Sequence, residues 1–108
     1  MPTSKLINYT TREFMSDNEL ELYAKKQDEI FTPKVIDEFK KAGMLRRVLT
    51  RIWNKEGVFR IGRIFMYKDE KSFVACQKIF REFENENSDI NRKISSSRGI
   101  VLDENILI

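Results

Sequence analysis

Apolar and polar positions fall into runs of period two and period 3.6 that can be assigned element by element. "KLINYTTREF", Lys5 to Phe14, is rich in Ile, Tyr, Thr and Phe and holds no breaker, which predicts a first strand. "SDNE" then offers Ser16 and Glu19 as a capping box that opens a helix. Leu20, Tyr23, Gln27, Ile30 and Phe31 keep helical spacing on one side. Thr32 and Pro33 restart that helix, Thr as cap and Pro at the first position, where a missing N–H costs nothing. Val35, Ile36 and Phe39 continue the stripe, and Gly43 ends it as a left-handed cap. The expectation is one long helix with a jog near Pro33.

"MLRRVLTRIW", Met44 to Trp53, reads as a second strand and "VFRIGRIFMY", Val58 to Tyr67, as a third. The turn residues Asn54 to Gly57 between them predict a hairpin. Asp69 caps a second helix along which Phe73, Cys76, Phe80 and Phe83 recur at three- and four-residue steps. "ENENSD", Glu84 to Asp89, ends that helix; it lacks the Gly and the terminal Glu of a calcium loop. "RGIVLDE", Arg98 to Glu104, is a short fourth strand, followed by the apolar "NILI". The class is therefore α+β, in the order β-α-β-β-α-β of the ferredoxin-like plan. That plan has a four-stranded antiparallel sheet in the order 4-1-3-2 with both helices on one face. No repeat or linker divides the chain, so residues 1–108 read as one domain.

Pairing across the turn sets Trp53 opposite Val58, Arg51 opposite Arg60 and Leu49 opposite Gly62. One face then carries Val48, Ile52, Phe59, Ile61, Phe65 and Tyr67, and the helices are assigned to it. The other carries Leu45, Leu49, Trp53, Val58, Ile64 and Met66, interrupted by Arg47, Arg51 and Arg60. Burying a side chain of this kind is worth about 1.5–3 kcal/mol, so a second copy, a strand of RNA or an apolar ligand should cover that face.

Composition narrows the chemistry. The 108 residues contain 20 Lys and Arg, 17 Asp and Glu, and no histidine. Histidine-based nucleophile pairs, histidine-ligated zinc and proximal-histidine haem are thereby excluded, and no metal or cofactor site is assigned. The net charge of +3 on a mixed surface argues little for nucleic acid. No window approaches the roughly 18 apolar residues of a membrane span. The single Cys76 cannot make an internal disulfide, which points to the cytoplasm.

The run Tyr67-Lys68-Asp69-Glu70-Lys71-Ser72-Phe73 and the helix closing on "KKAGML" resemble the dimeric α+β barrel superfamily, which contains antibiotic-biosynthesis-monooxygenase-like and NIPSNAP-like domains. The resemblance implies two ferredoxin-like sheets facing each other around a pocket, hence a homodimer. Monooxygenase-like members often place a Glu two residues before the Tyr and a His three residues after the Phe. Here those positions hold Phe65 and Cys76.

In such a barrel Arg47, Arg51, Trp53, Arg60 and Met66 would line the interior as ligand-binding residues. Arg forks grip planar anions, so the ligand would be apolar or aromatic with an anionic group. The opposing account pairs the arginines with Glu13 or other rim carboxylates. Trp53 fits interface packing better than catalysis, Cys76 fits an inert buried thiol, and Tyr9, Tyr23 and Tyr67 fit core or rim positions. No catalytic residue is assigned. "NILI" would cross to a partner near its second-strand edge.

Three functions stay open. The first is a small-molecule-binding dimer, as a cofactor-free oxygenase or isomerase. The second is a non-catalytic barrel acting as an interaction module. The third, an RNA-binding sheet, fits least, because "RIGRIFMY" places Ile, Arg and Ile where that motif needs Gly, a small residue and an aromatic.

Overall fold

The computed structural model describes residues 5–84 and 94–107, with side chains omitted at 83 and 84. The Phe83 side chain, the run from Asn85 to Asp89 and Ile108 therefore lie outside the described residues. Four strands and three helices follow in the order β1 (Leu6–Phe14), α1 (Asp17–Ile30), α2 (Pro33–Lys41), β2 (Met44–Arg51), β3 (Phe59–Tyr67), α3 (Glu70–Glu84) and β4 (Ile94–Ile100). The strands form one antiparallel sheet in the order β2-β3-β1-β4, the ferredoxin-like arrangement.

The helix starts follow from their caps. Ser16 accepts the Glu19 N–H at 3.2 Å, while the Glu19 carboxylate accepts from the Met15 N–H at 3.0 Å. The long first helix is two helices. Phe31 closes α1 through its N–H to the Gln27 carbonyl, and Thr32 caps α2 by accepting the Val35 N–H. Asp69 accepts both the backbone N–H and the hydroxyl of Ser72, at 2.7 and 2.8 Å, and so starts α3. Gly43, at φ 107°, turns α2 into β2; a Cβ there would stand 2.0 Å from the Ser72 Oγ.

All three helices cover one sheet face, over two apolar clusters. One joins Leu6, Phe31, Phe39, Phe65, Tyr67, Cys76 and Phe80; the other joins Phe14, Leu20, Tyr23 and Ile61. The expectation for β3 therefore holds: Ile61, Phe65 and Tyr67 face the helices.

For β2 the faces are exchanged. The expected register survives only in its first pair, Met44 opposite Tyr67. A bulge at Leu45 then shifts every later residue by one, setting Arg47 opposite Phe65, Leu49 opposite Arg63 and Arg51 opposite Ile61. Ile52 closes the ladder through its N–H to the Arg60 carbonyl at 3.0 Å, and Trp53 to Val58 belong to the loop rather than to strands.

The fourth strand also begins earlier than expected, at Ile94, and takes in Ser95 to Ser97. Serine has little strand preference of its own, but β1 supplies partners. Ser96 donates to Asn8 Oδ1 at 3.3 Å and lies 3.1 Å from the Thr10 hydroxyl. Asn8 Nδ2 donates to Thr10 at 3.2 Å, closing a polar triad on the helix-covered face.

Candidate functional site

The face opposite the helices is the candidate site. Because side chains alternate, the pairings fix its members row by row. Arg46, Met66, Ile7 and Gly99 form the row at one end. Val48, Ile64, Tyr9 and Ser97 follow, then Thr50, Gly62, Thr11 and Ser95, and finally Arg60 beside Glu13. Ile7, Val48, Ile64 and Met66 are half-buried by their neighbours, and Tyr9 is exposed. Every described helix packs on the other face, so these side chains form an apolar centre with nothing from the helices above it.

The two glycines shape this surface. Gly62 stands between Thr50 and Thr11, and the Thr50 hydroxyl donates to its carbonyl at 3.0 Å. A Cβ on Gly62 would meet that hydroxyl at 2.8 Å, so the Thr50 side chain leans over Gly62 and buries it. The Tyr9 ring edge passes 4.0 Å from where a Gly99 side chain would begin. Arg60 and Glu13 make an ion pair at the far end, each about one-third exposed. Beside it, Glu13, Phe14, Gly57, Val58 and Phe59 line a cavity of about 130 Å³. The arrangement offers an apolar floor, a phenol, hydroxyls, Arg46 at one end and, at the other, Arg60 held by a carboxylate. That set suits a flat apolar molecule with a polar edge better than a phosphate chain.

The five residues expected to line a pocket are divided by the register. Arg60 and Met66 stand on the uncovered face. Trp53 is in the β2–β3 loop and is 90% exposed. Arg47 and Arg51 are on the helix side, a correction that follows from the bulge at Leu45. The Arg47 guanidinium carbon lies 3.9 Å from the Phe31 ring centroid. Burial lowers the pKa of Arg47, with the Arg63 charge adding to it and Asp28 opposing. Arg51 pairs with Asp17 on α1, and Arg60 with Glu13, the carboxylate that the opposing account named.

Sequence reasoning left Ile7 and Thr11 unassigned and gave Tyr9 only a core or rim position. The alternation of "LINYTTREF" carried the signal: Leu6, Asn8, Thr10, Arg12 and Phe14 lie on one face, so the odd positions must lie on the other. Of the other rings on the central strands, Phe65 and Tyr67 are buried in the helix-side core, and Phe14 packs against Tyr23 at 5.1 Å. Tyr9 is the aromatic that the central strands show on the uncovered face.

Cys76 is buried beneath α2, its thiol 3.9 Å from the Phe39 carbonyl, and burial pushes its pKa up to about 11. Among the described residues, no helix is long and apolar enough to cross a membrane.

The chain matches one protein family over residues 3–101, described as a domain of unknown function, DUF6974. Among solved structures it is similar to a dimeric ferredoxin-like protein from an uncultured marine organism. The two are 30% identical, with a TM-score of 0.83, and 96% of this chain covers 100% of that one. A second dimeric ferredoxin-like protein from an uncultured marine organism is 29% identical, with a TM-score of 0.85 over 94% and 98% of the two chains. A monooxygenase from Streptomyces coelicolor, solved in complex with nanaomycin D, shares the fold at 10% identity. Its TM-score is 0.67 over 100% of this chain and 96% of that one. The fold is thus that of dimeric ferredoxin-like and antibiotic-biosynthesis-monooxygenase-like proteins. No curated protein matches the chain.

Proposed function

The chain belongs to the DUF6974 family of domains of unknown function, and from that premise we propose that two copies join their uncovered faces into an α+β barrel that binds a small molecule. The observation that carries the proposal is the apolar centre of Ile7, Tyr9, Val48, Ile64 and Met66, which lies opposite every described helix. Facing copies would remove it from water. The dimeric state of the two ferredoxin-like proteins of matching fold supports the pairing.

The ligand is apolar or aromatic and carries an anionic edge. Met66 and Ile64 contact its body, Tyr9 donates a hydrogen bond, and Arg60, already charged and held by Glu13, receives the anion. Of the five arginine, tryptophan and methionine candidates, Arg60 and Met66 keep a ligand role. Trp53 serves at the rim, and Arg47 and Arg51 serve the helix layer. In its catalytic form this is a cofactor-independent oxygenase-like protein, as the fold shared with the nanaomycin-bound monooxygenase supports. In that chemistry the bound molecule itself activates oxygen, and the protein supplies shape, a donor and a counter-charge. We place the protein in the cytoplasm, where the buried Cys76 stays a thiol.

Calorimetric titration with 2-naphthoate, an aromatic carboxylate, tests the ligand reading. Saturable binding at no more than one molecule per protomer, weakened by Arg60→Gln, is the expected result. A dimer that takes up no naphthoate at millimolar concentration, while Arg60→Gln leaves the heat unchanged, overturns it.

A further inference from the structure

Beyond β4 the chain carries apolar side chains into water. Leu102 is 95% exposed, Ile106 72% and Leu107 92%. The segment is rooted at the start of β1, where the Val101 N–H donates to the Lys5 carbonyl at 2.9 Å and Glu104 pairs with Lys5 at 2.8 Å. Past that root it displays Ile106 and Leu107, two adjacent large apolar groups that a soluble surface seldom presents together.

At the opposite edge of the sheet is β2, whose outer backbone groups face no described strand. Its first residues are exposed. Leu45, at the bulge, is 47% exposed, and Arg46 stands beside it on the uncovered face. The two elements complement each other: one is an apolar segment bearing Ile106 and Leu107, the other an unpaired edge bearing Leu45.

Within a single chain β3 and β1 separate these edges, three strand spacings or about 14 Å, and the route would cross the apolar face itself. Two facing sheets related by a twofold axis parallel to the strands bring β4 of one over β2 of the other, about 10 Å away. Past the Glu104–Lys5 pair three extended residues, Asn105 to Leu107, reach about 10 Å, which matches that gap. Both structures also lie at the same end of the sheet, since Ile100 and Met44 occupy the row of Leu6 and Tyr67.

We propose that the residues past this root, 105–107 of each protomer, cross the seam and dock on the β2 edge of the other. Ile106 and Leu107 pack against the partner's Leu45. The inference rests on the face-to-face dimer proposed above and adds to it the segment that closes the barrel's open side.

The test compares the full chain with a variant lacking residues 102–108 and with the full-length variant Ile106→Ser, Leu107→Ser. For each, the dimer dissociation constant is measured by sedimentation, and amide exchange of β2 is followed well above that concentration. The expected result is protection of the outer β2 amides in the full chain, lost in both variants. Loss of the two apolar anchors should weaken the dimer roughly a hundredfold. A full-length dimer whose outer β2 amides exchange as fast as in the variants overturns the crossing alone. A full-length monomer overturns the crossing and the dimer together.

Discussion

Arg47 stacks on Phe31, its guanidinium carbon 3.9 Å from the ring centroid, and so belongs to the seam between α1 and the sheet. It is one of three arginines that meet the same side of α1. Arg12 lies 4.8 Å from the Tyr23 ring, and Arg63 reaches Gln27 at 3.4 Å. Tyr23, Gln27 and Phe31 are four residues apart, the repeat of one helix face. The helix thus rests on a diagonal of long cationic side chains that bridges its two apolar clusters.

Arg47→Ala should therefore cost stability and leave ligand binding alone. Losing the stacked cation and the packing of its stem predicts about 1 kcal/mol. Urea unfolding at fixed protein concentration measures the cost, and naphthoate titration provides the control. Unchanged stability with lost binding would return Arg47 to the pocket.

Gly62 and Thr50 should be coupled. Gly62→Ala brings a methyl against the Thr50 hydroxyl, 2.8 Å away, and forces it off its bond to the Gly62 carbonyl. The expected cost is about 1 kcal/mol in the wild-type background and close to none with Thr50→Ala. A double-mutant cycle by urea unfolding reads the coupling; additive costs would contradict the close contact.

Two groups give opposite pH limbs. Hydrogen bonds from Ser72 hold the Asp69 carboxyl below its usual range, with Lys68 and Lys71 adding to the effect. Its contribution is full above the unfolded pKa of about 3.9 and is lost as pH falls through the lower folded value. Burial raises Cys76 to about 11. Its contribution is full below the unfolded pKa, about 8.5, and is lost as pH rises towards the folded value. Asp69→Asn should flatten the acid limb of a stability–pH curve, and Cys76→Ala the alkaline one. At pH 8 native Cys76 should resist iodoacetamide and react once the chain is unfolded; equal rates in the two states would contradict its burial.

The caps and stripes were legible because each is a local signal. Ser16, Thr32 and Asp69 all cap as their sequences imply, and Phe39, Phe65, Tyr67 and Cys76 fall in the core. Leu45 was not legible. Nothing in "GMLRR" marks a bulge, because the extra residue is selected by tertiary packing that sets Met44 and Leu49 under the helices. One residue there moved Arg47 and Arg51 off the candidate face. "ISSSRGI" was read too late for a similar reason: its partners Asn8 and Thr10 lie 86 to 88 residues earlier in the chain.

The central claim is that a second copy covers Ile7, Tyr9, Val48, Ile64 and Met66. Light scattering at low micromolar concentration weighs the particle directly. The account predicts twice the 12.9 kDa of one chain, falling to a single chain when Ile64→Glu sets a charge at the centre of the face. A wild-type chain that stays at 12.9 kDa would leave that face in water and contradict the barrel.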